Sequence, residues 1–268
     1  MFFRLISIEW TRLSRRAVLW VTLIACLLYS WLGVQNYYSL TGSMLRDGTE
    51  KMPGLAFDIA TSLDVLLLVS LPLIIIMAGL VFGGDYSQRT NHQWLMRASR
   101  SNSLLAKFVL LAGSTLLVHA LVVVLAGVTG WYYKTYAFHA TGFLNVNWVA
   151  TISAIGYMTL VLLPYIALMA LIIVATRSTF AGIVIGLGVT QFVEMMFTVL
   201  TLNVGWGRWA PRNLYFSATY LLNAIGDRFV ETPPNLLAPV PAFITAAIYT
   251  LILLSLAIWL YRRQDIGG

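Results

Sequence analysis

Six apolar runs, each close to the length of a membrane crossing, decide what this chain can fold into. They fall at 17–38, 63–82, 108–132, 148–175, 179–202 and 241–260, separated by charged or polar breaks. A helix needs about 20 predominantly apolar residues to cross about 30 Å of hydrocarbon. Inside that layer only helices and closed barrels satisfy every backbone polar group. The runs lack the strict apolar–polar alternation of barrel strands. The expectation is therefore an all-α integral membrane protein with six transmembrane helices, formed as a single domain over residues 17–268. Charged residues make up 10% of the chain, against about 25% in soluble domains, which agrees. A lone Cys26 inside the first run excludes an internal disulfide and a cysteine metal site, and reads as a small hydrophobe. No small-residue cleavage site follows that run, so it is expected to stay in place as a helix.

Six crossings put both termini on one side. Of the 17 Lys and Arg residues, eleven fall on that side, among them Arg4, Arg12, Arg15, Arg16 and Arg262, and six fall opposite. The positive-inside rule then makes the termini cytoplasmic. Membrane topology also accounts for the net charge of +7. No basic cluster is interleaved with exposed aromatics, so nucleic acid is not an expected partner. The turn Thr176-Arg177-Ser178 is minimal and makes spans four and five an antiparallel hairpin. The breaks at 39–62 and 203–239 are long enough to carry structure. Within the second, residues 213–230 read as an amphipathic segment that either lies on or dips into the outer leaflet or packs on neighbouring loops as a surface helix. No repeat of 20 to 50 residues is visible, which disfavours an inverted-repeat secondary transporter.

The first sixteen residues place Phe3, Ile6, Trp10, Leu13 and Ala17 at alternating spacings of three and four, the mark of one narrow apolar helical face. An interfacial amphipathic helix over residues 1–16 is expected, its arginines at anionic head groups for about 1 kcal/mol each. After the second span comes a connection that is long for a helix bundle. Asp85 opens it, Trp94, Leu95 and Met96 form an apolar centre, and Arg97 and Arg100 follow. That pattern describes a short helix parallel to the membrane. It either buries Trp94 and Leu95 in the groove of a partner or lies on lipid alone.

The run 85–107 resembles the cytoplasmic loop of the permease subunits of type-2 ATP-binding-cassette exporters. In that family an acid ends the second helix, and Thr, Leu, Arg and Lys recur where this chain has Thr90, Leu95, Arg100 and Lys107. Arg89 and Ala98 depart from the Gly and Pro of many relatives, so the local turn is expected to differ. The tail Tyr261-Arg262-Arg263-Gln264-Asp265-Ile266 and the amphipathic start, the family's elbow helix, are also similar, so the resemblance covers nearly the whole chain. It implies a cytoplasmic coupling helix between helices two and three on which a separate ATPase docks, through Asp85, Arg89, Thr90, Gln93, Trp94, Leu95, Arg97 and Arg100. It further implies ATP and Mg bound by that partner, a second permease chain in a homodimer or heterodimer, and a place in the plasma membrane. The chain itself has no phosphate-cradling Gly-x-x-x-x-Gly-Lys-Ser/Thr loop, since Lys51, Lys107 and Lys134 follow Glu50, Ala106 and Tyr133. It is expected to be a transport subunit, without cofactor or enzymatic activity of its own.

Polar groups inside spans usually have a purpose. Glu194 is the one acid read as lying well inside a span, and Gln191, three residues earlier, is expected on the same helix face. Both are candidates for substrate contact or gating, or for fastening span five to its neighbours. His119, alone among apolar residues, reads as structural, and no metal site is expected. Gly182 and Gly186 permit close helix approach, either within the subunit or across a dimer, and Pro72 and Pro164 interrupt spans two and four. No nucleophile–base or metal motif supports an intramembrane enzyme. A non-transporting scaffold subunit, or an ion-coupled transporter with Glu194 as coupling acid, are the alternatives to a permease that forms the path of an amphipathic, peptide or lipid-like substrate.

Overall fold

The computed structural model describes residues 2–48, 52–87, 100–201, 204–225 and 236–264, and they form a helical bundle. An N-terminal helix α1 (Phe2–Ser14) is followed by α2 (Ala17–Arg46), α3 (Leu55–Ser87) and α4 (Arg100–Tyr132), the last running into a π-helical turn at Tyr133–Ala137. Then come α5 (Trp148–Thr176), α6 (Thr179–Leu187), a second π-helical turn at Gly188–Val193, and α7 (Glu194–Thr201). Two short helices, α8 (Pro211–Phe216) and α9 (Thr219–Ile225), precede α10 (Pro239–Arg263). Six of these stretches are long and apolar enough to cross a membrane, with α6, the second π turn and α7 forming one of them. The chain is thus a multi-pass membrane protein.

Burial sorts the six into a centre and a rim. The apolar windows of α3 and α5 are 61% and 67% buried, whereas those of α6–α7 and α10 are 17% and 22% buried. The rim helices leave wide apolar faces on the outside of the bundle, including Phe180, Phe192, Met196 and Leu251. Such faces are at home in hydrocarbon and are unusual in water.

Local chemistry sets the helix ends. Asn147 caps α5 by accepting from the Ala150 amide at 3.1 Å, and Ser178 caps α6 by accepting from the Ala181 amide at 3.3 Å, each satisfying one of the donors a helix start leaves open. Between α5 and α6, Arg177 adopts a left-handed backbone conformation (φ 52°), which reverses the chain in three residues. The hairpin, and the crossing of α6 with α3, close tightly because small residues line the contacts. A methyl group at Gly182 would collide with Ile173, one at Gly186 with Met169, one at Gly79 with Ile183, and one at Gly83 with Thr179.

The ends away from the termini differ from expectation. Helix α2 continues to Arg46 and α3 already begins at Leu55, so the break expected at 39–62 shrinks to residues 47–54. The extra turns of α3 carry Asp58 into the bundle, where Tyr38, at the end of the expected first span, and Lys134 meet it. Charged residues therefore did not mark a helix boundary here, because they neutralise one another. The stretch expected as an amphipathic segment at 213–230 is, up to residue 225, a wedge. Leu214, Tyr215, Ala218 and Leu222 are buried against α3 and α5, and the Tyr157 hydroxyl donates to the Leu214 carbonyl at 2.9 Å. Tyr215 hydrogen-bonds Ser70 of α3.

At the other end, α1 packs along α4. Of its expected apolar stripe, Leu13 is buried, while Phe3 and Trp10 face outward. Arg16 does not extend with the other arginines. Its guanidinium lies against Gly84 and donates to the Leu80 carbonyl at 2.7 Å, tying the start of α2 to the last turns of α3.

Candidate functional site

Glu194 opens α7 directly after the π-helical turn Gly188–Val193. The Tyr165 hydroxyl of α5 donates to its Oε1 at 2.9 Å. Arg212, at the start of α8, turns its backbone amide to the same carboxylate, and its charge is close enough to be an electrostatic partner. Its guanidinium is committed elsewhere: it donates to the Thr190 carbonyl at 2.9 Å and stands 5.8 Å from the centre of the Phe216 ring. Among the described residues Glu194 forms no ion pair.

Tyr165 and Glu194 line a groove of about 510 Å³ between α5, the π turn with α7, and α10. Its other walls are almost wholly apolar, among them Leu168, Val189, Val193, Phe197, Ile252 and Leu253. Val193 and Ile252 are also exposed on the outside of the bundle, so the groove opens sideways. A mostly apolar cleft of roughly 300–1,000 Å³ with few polar groups is the usual form of a small-molecule site.

Gln191 does not join Glu194 there. Its side-chain nitrogen is buried without a hydrogen-bond partner and it is not among the groove's lining residues. The π turn is the reason, since i→i+5 pairing rotates the register that an unbroken α-helix would keep. Gly182 and Gly186 pack within the chain, against Ile173, Met169 and Ile75. His119 is buried and shares a hydrogen bond of 3.0 Å with Thr159. No cluster of three or more metal-ligating side chains occurs among the described residues.

The chain matches no known family model and no curated protein.

Of the expected docking residues, Arg89, Thr90, Gln93, Trp94, Leu95 and Arg97 lie outside the described residues. Asp85 falls in the last turn of α3 and Arg100 opens α4. Both flanks of this connection are tied to the C-terminal segment. The Tyr86 hydroxyl donates to Gln264 at 3.0 Å, Gln264 donates in turn to the Val174 carbonyl, and Arg262 donates to Ser101 at 3.2 Å.

Sequence reasoning missed a second polar centre. Asp58, Lys134 and Tyr38 are 1%, 0% and 3% exposed, and they join α3, the π turn after α4, and α2. Lys134 donates to the Asp58 carboxylate and to the Tyr38 hydroxyl, and that hydroxyl donates to Asp58 at 2.9 Å. Gly130 makes the room, since a methyl group there would strike the carboxylate. Tyr133 stacks on Tyr38 at 4.8 Å. The signal was present. Leu55, Ala56, Ile59 and Ala60 surround Asp58 with apolar residues at helical spacing, and Lys134 sits among Tyr132, Tyr133 and Tyr136, unusual company for a base in a loop.

Proposed function

We propose that this chain is the membrane-spanning permease subunit of an ATP-driven exporter. The observation that carries the reading is the sideways-open, apolar groove with one acid, set in a bundle of six membrane-length helices. Such a groove gives an amphipathic, peptide or lipid-like substrate a way in from the bilayer. The resemblance of 85–107 to a coupling loop supplies the energy source, a separate ATPase that holds ATP and Mg and docks on that loop. Arg16 on one side, and Gln264 with Arg262 on the other, hold the two helices that would receive its push. In this reading the termini are cytoplasmic in the plasma membrane, and two permease chains pair.

A pull-down from mild detergent tests it, comparing wild type with the Trp94→Ala, Arg97→Ala double variant and assaying ATPase activity in each eluate. A co-purifying ATPase that the double variant loses is the expected result. A folded wild type that brings down no ATPase overturns the reading.

The buried Asp58–Lys134 pair favours one competing reading, an ion-coupled transporter, because charges enclosed in a membrane bundle often serve proton or ion pathways. Transport that survives without ATP, and that stops in Asp58→Asn protein shown to remain folded, would favour it.

A further inference from the structure

Two of the acids within the membrane-length helices, Asp58 and Glu194, are treated in opposite ways. Asp58 has its cation built in, because Lys134 bonds it and Tyr38 completes the enclosure. Glu194 has no ion pair among the described residues and is compensated only in part, by the more distant charge of Arg212, although a carboxylate in apolar surroundings is costly without a close partner. Tyr165 takes up one oxygen, and Arg212 turns its guanidinium to the Thr190 carbonyl instead. The Arg212 backbone amide is a second partner; a carboxylate offers about four acceptor sites, so capacity remains for a ligand in the groove that Glu194 lines.

The remaining lining limits the ligand further. Leu168, Val189, Ile252 and Leu253 offer no hydrogen bonds to a polar body, so whatever fills the groove is hydrocarbon along most of its length. The opening is lateral, towards the outside of the bundle. Glu194 lies about two-thirds of the way along the span Thr179–Thr201, nearer the end away from the termini. A ligand with its polar group at that depth and its tail along the groove is oriented as amphiphiles are in the leaflet on that side.

We propose that the groove binds a single-chain, membrane-dissolved amphiphile bearing one ammonium group, the ammonium at Glu194 and Tyr165 and the chain along Leu168, Val189 and Leu253. The proposal deepens the exporter reading by naming the class of its substrate, and rests on that reading only for calling the ligand a substrate.

The test is equilibrium binding of radiolabelled dodecylammonium and dodecyl sulfate to the protein in phosphatidylcholine nanodiscs, with empty discs subtracted. The two probes share a tail and differ in the sign of the head. Wild type is expected to bind the cation at least about tenfold more tightly than the anion, the size of one added charge-assisted contact. Glu194→Gln should erase that preference while tail binding remains, and Leu168→Trp, which fills the groove, should weaken both probes. Equal affinity for the two probes in wild type overturns the proposal with no variant needed. So does a preference that survives in a folded Glu194→Gln. Neither result depends on an ATPase, so failure here is distinct from a pull-down that finds none: the first removes the ligand class, the second the energy source.

Discussion

Lys134 bonds Asp58 across 76 positions of chain, and the two side chains are enclosed so completely that neither reaches the surface. The pair fastens α3 to the end of α4, with Tyr38 of α2 as the third member. Enclosed charge pairs respond asymmetrically to mutation. Removing one partner strands the other and costs roughly 3–5 kcal/mol, whereas replacing both with apolar groups of similar volume is often close to neutral. Asp58→Asn and Lys134→Met should each lower the unfolding temperature in detergent sharply, and Asp58→Leu with Lys134→Met should recover most of the loss. Single effects that simply add in the double variant would show that the pair does not act as a unit.

The glycines at the crossing of α3 with α6 and within the α5–α6 hairpin give a second expectation. A branched side chain at Gly79 meets Ile183, and one at Gly182 meets Ile173. Overpacking of this kind typically costs about 1–3 kcal/mol. Gly79→Val and Gly182→Val should therefore lower thermal stability. Gly188→Ala, with nothing within 4 Å of the added carbon, should leave it nearly unchanged. A Gly188→Ala loss equal to the other two would point to backbone effects instead of contact.

Arg177 carries the reversal between α5 and α6 with φ at 52°. A non-glycine residue held there costs about 1–2 kcal/mol. Arg177→Gly should raise the unfolding temperature by relieving that strain, and Arg177→Ala should not, because alanine keeps the Cβ. If the two variants melt together, the conformation is not where the strain lies.

The bundle was legible in the sequence because hydrocarbon imposes a length, and apolar runs of that length stand out. The minimal turn at Thr176-Arg177-Ser178 gave the hairpin for the same reason, since three residues leave no other geometry. Charges were a poor guide to where helices end. Positions 58 and 134 fell in the expected breaks between spans, and the contact that allows Asp58 and Lys134 inside joins positions far apart, invisible to any local pattern. Glu194 stood out as an acid in an apolar run. Its separation from Gln191 was hidden, because a π turn changes the register without changing composition. The wedge of α8 and α9 was recognised as amphipathic, yet its burial depends on Ser70 and Tyr157 in other helices.

The ties at the ends of the 85–107 connection lead to a last expectation. Tyr86 and Gln264 join the end of α3 to the chain beyond α10, and Arg262 reaches Ser101 at the start of α4. Each hydrogen bond contributes roughly 1 kcal/mol, and helix ends otherwise fray at low cost. Gln264→Ala combined with Arg262→Ala should raise amide exchange in the last turn of α3 and the first turn of α4 by about tenfold or more, while the centre of α5 stays protected. If the connection transmits force from an ATPase, the same variant keeps its bound partner in the pull-down but loses ATP-dependent transport, because docking uses the loop and transmission uses the helices that carry it. Loss of the partner together with transport would instead place Gln264 and Arg262 in the docking surface itself. Unchanged exchange at both helix ends would show that the C-terminal segment holds neither.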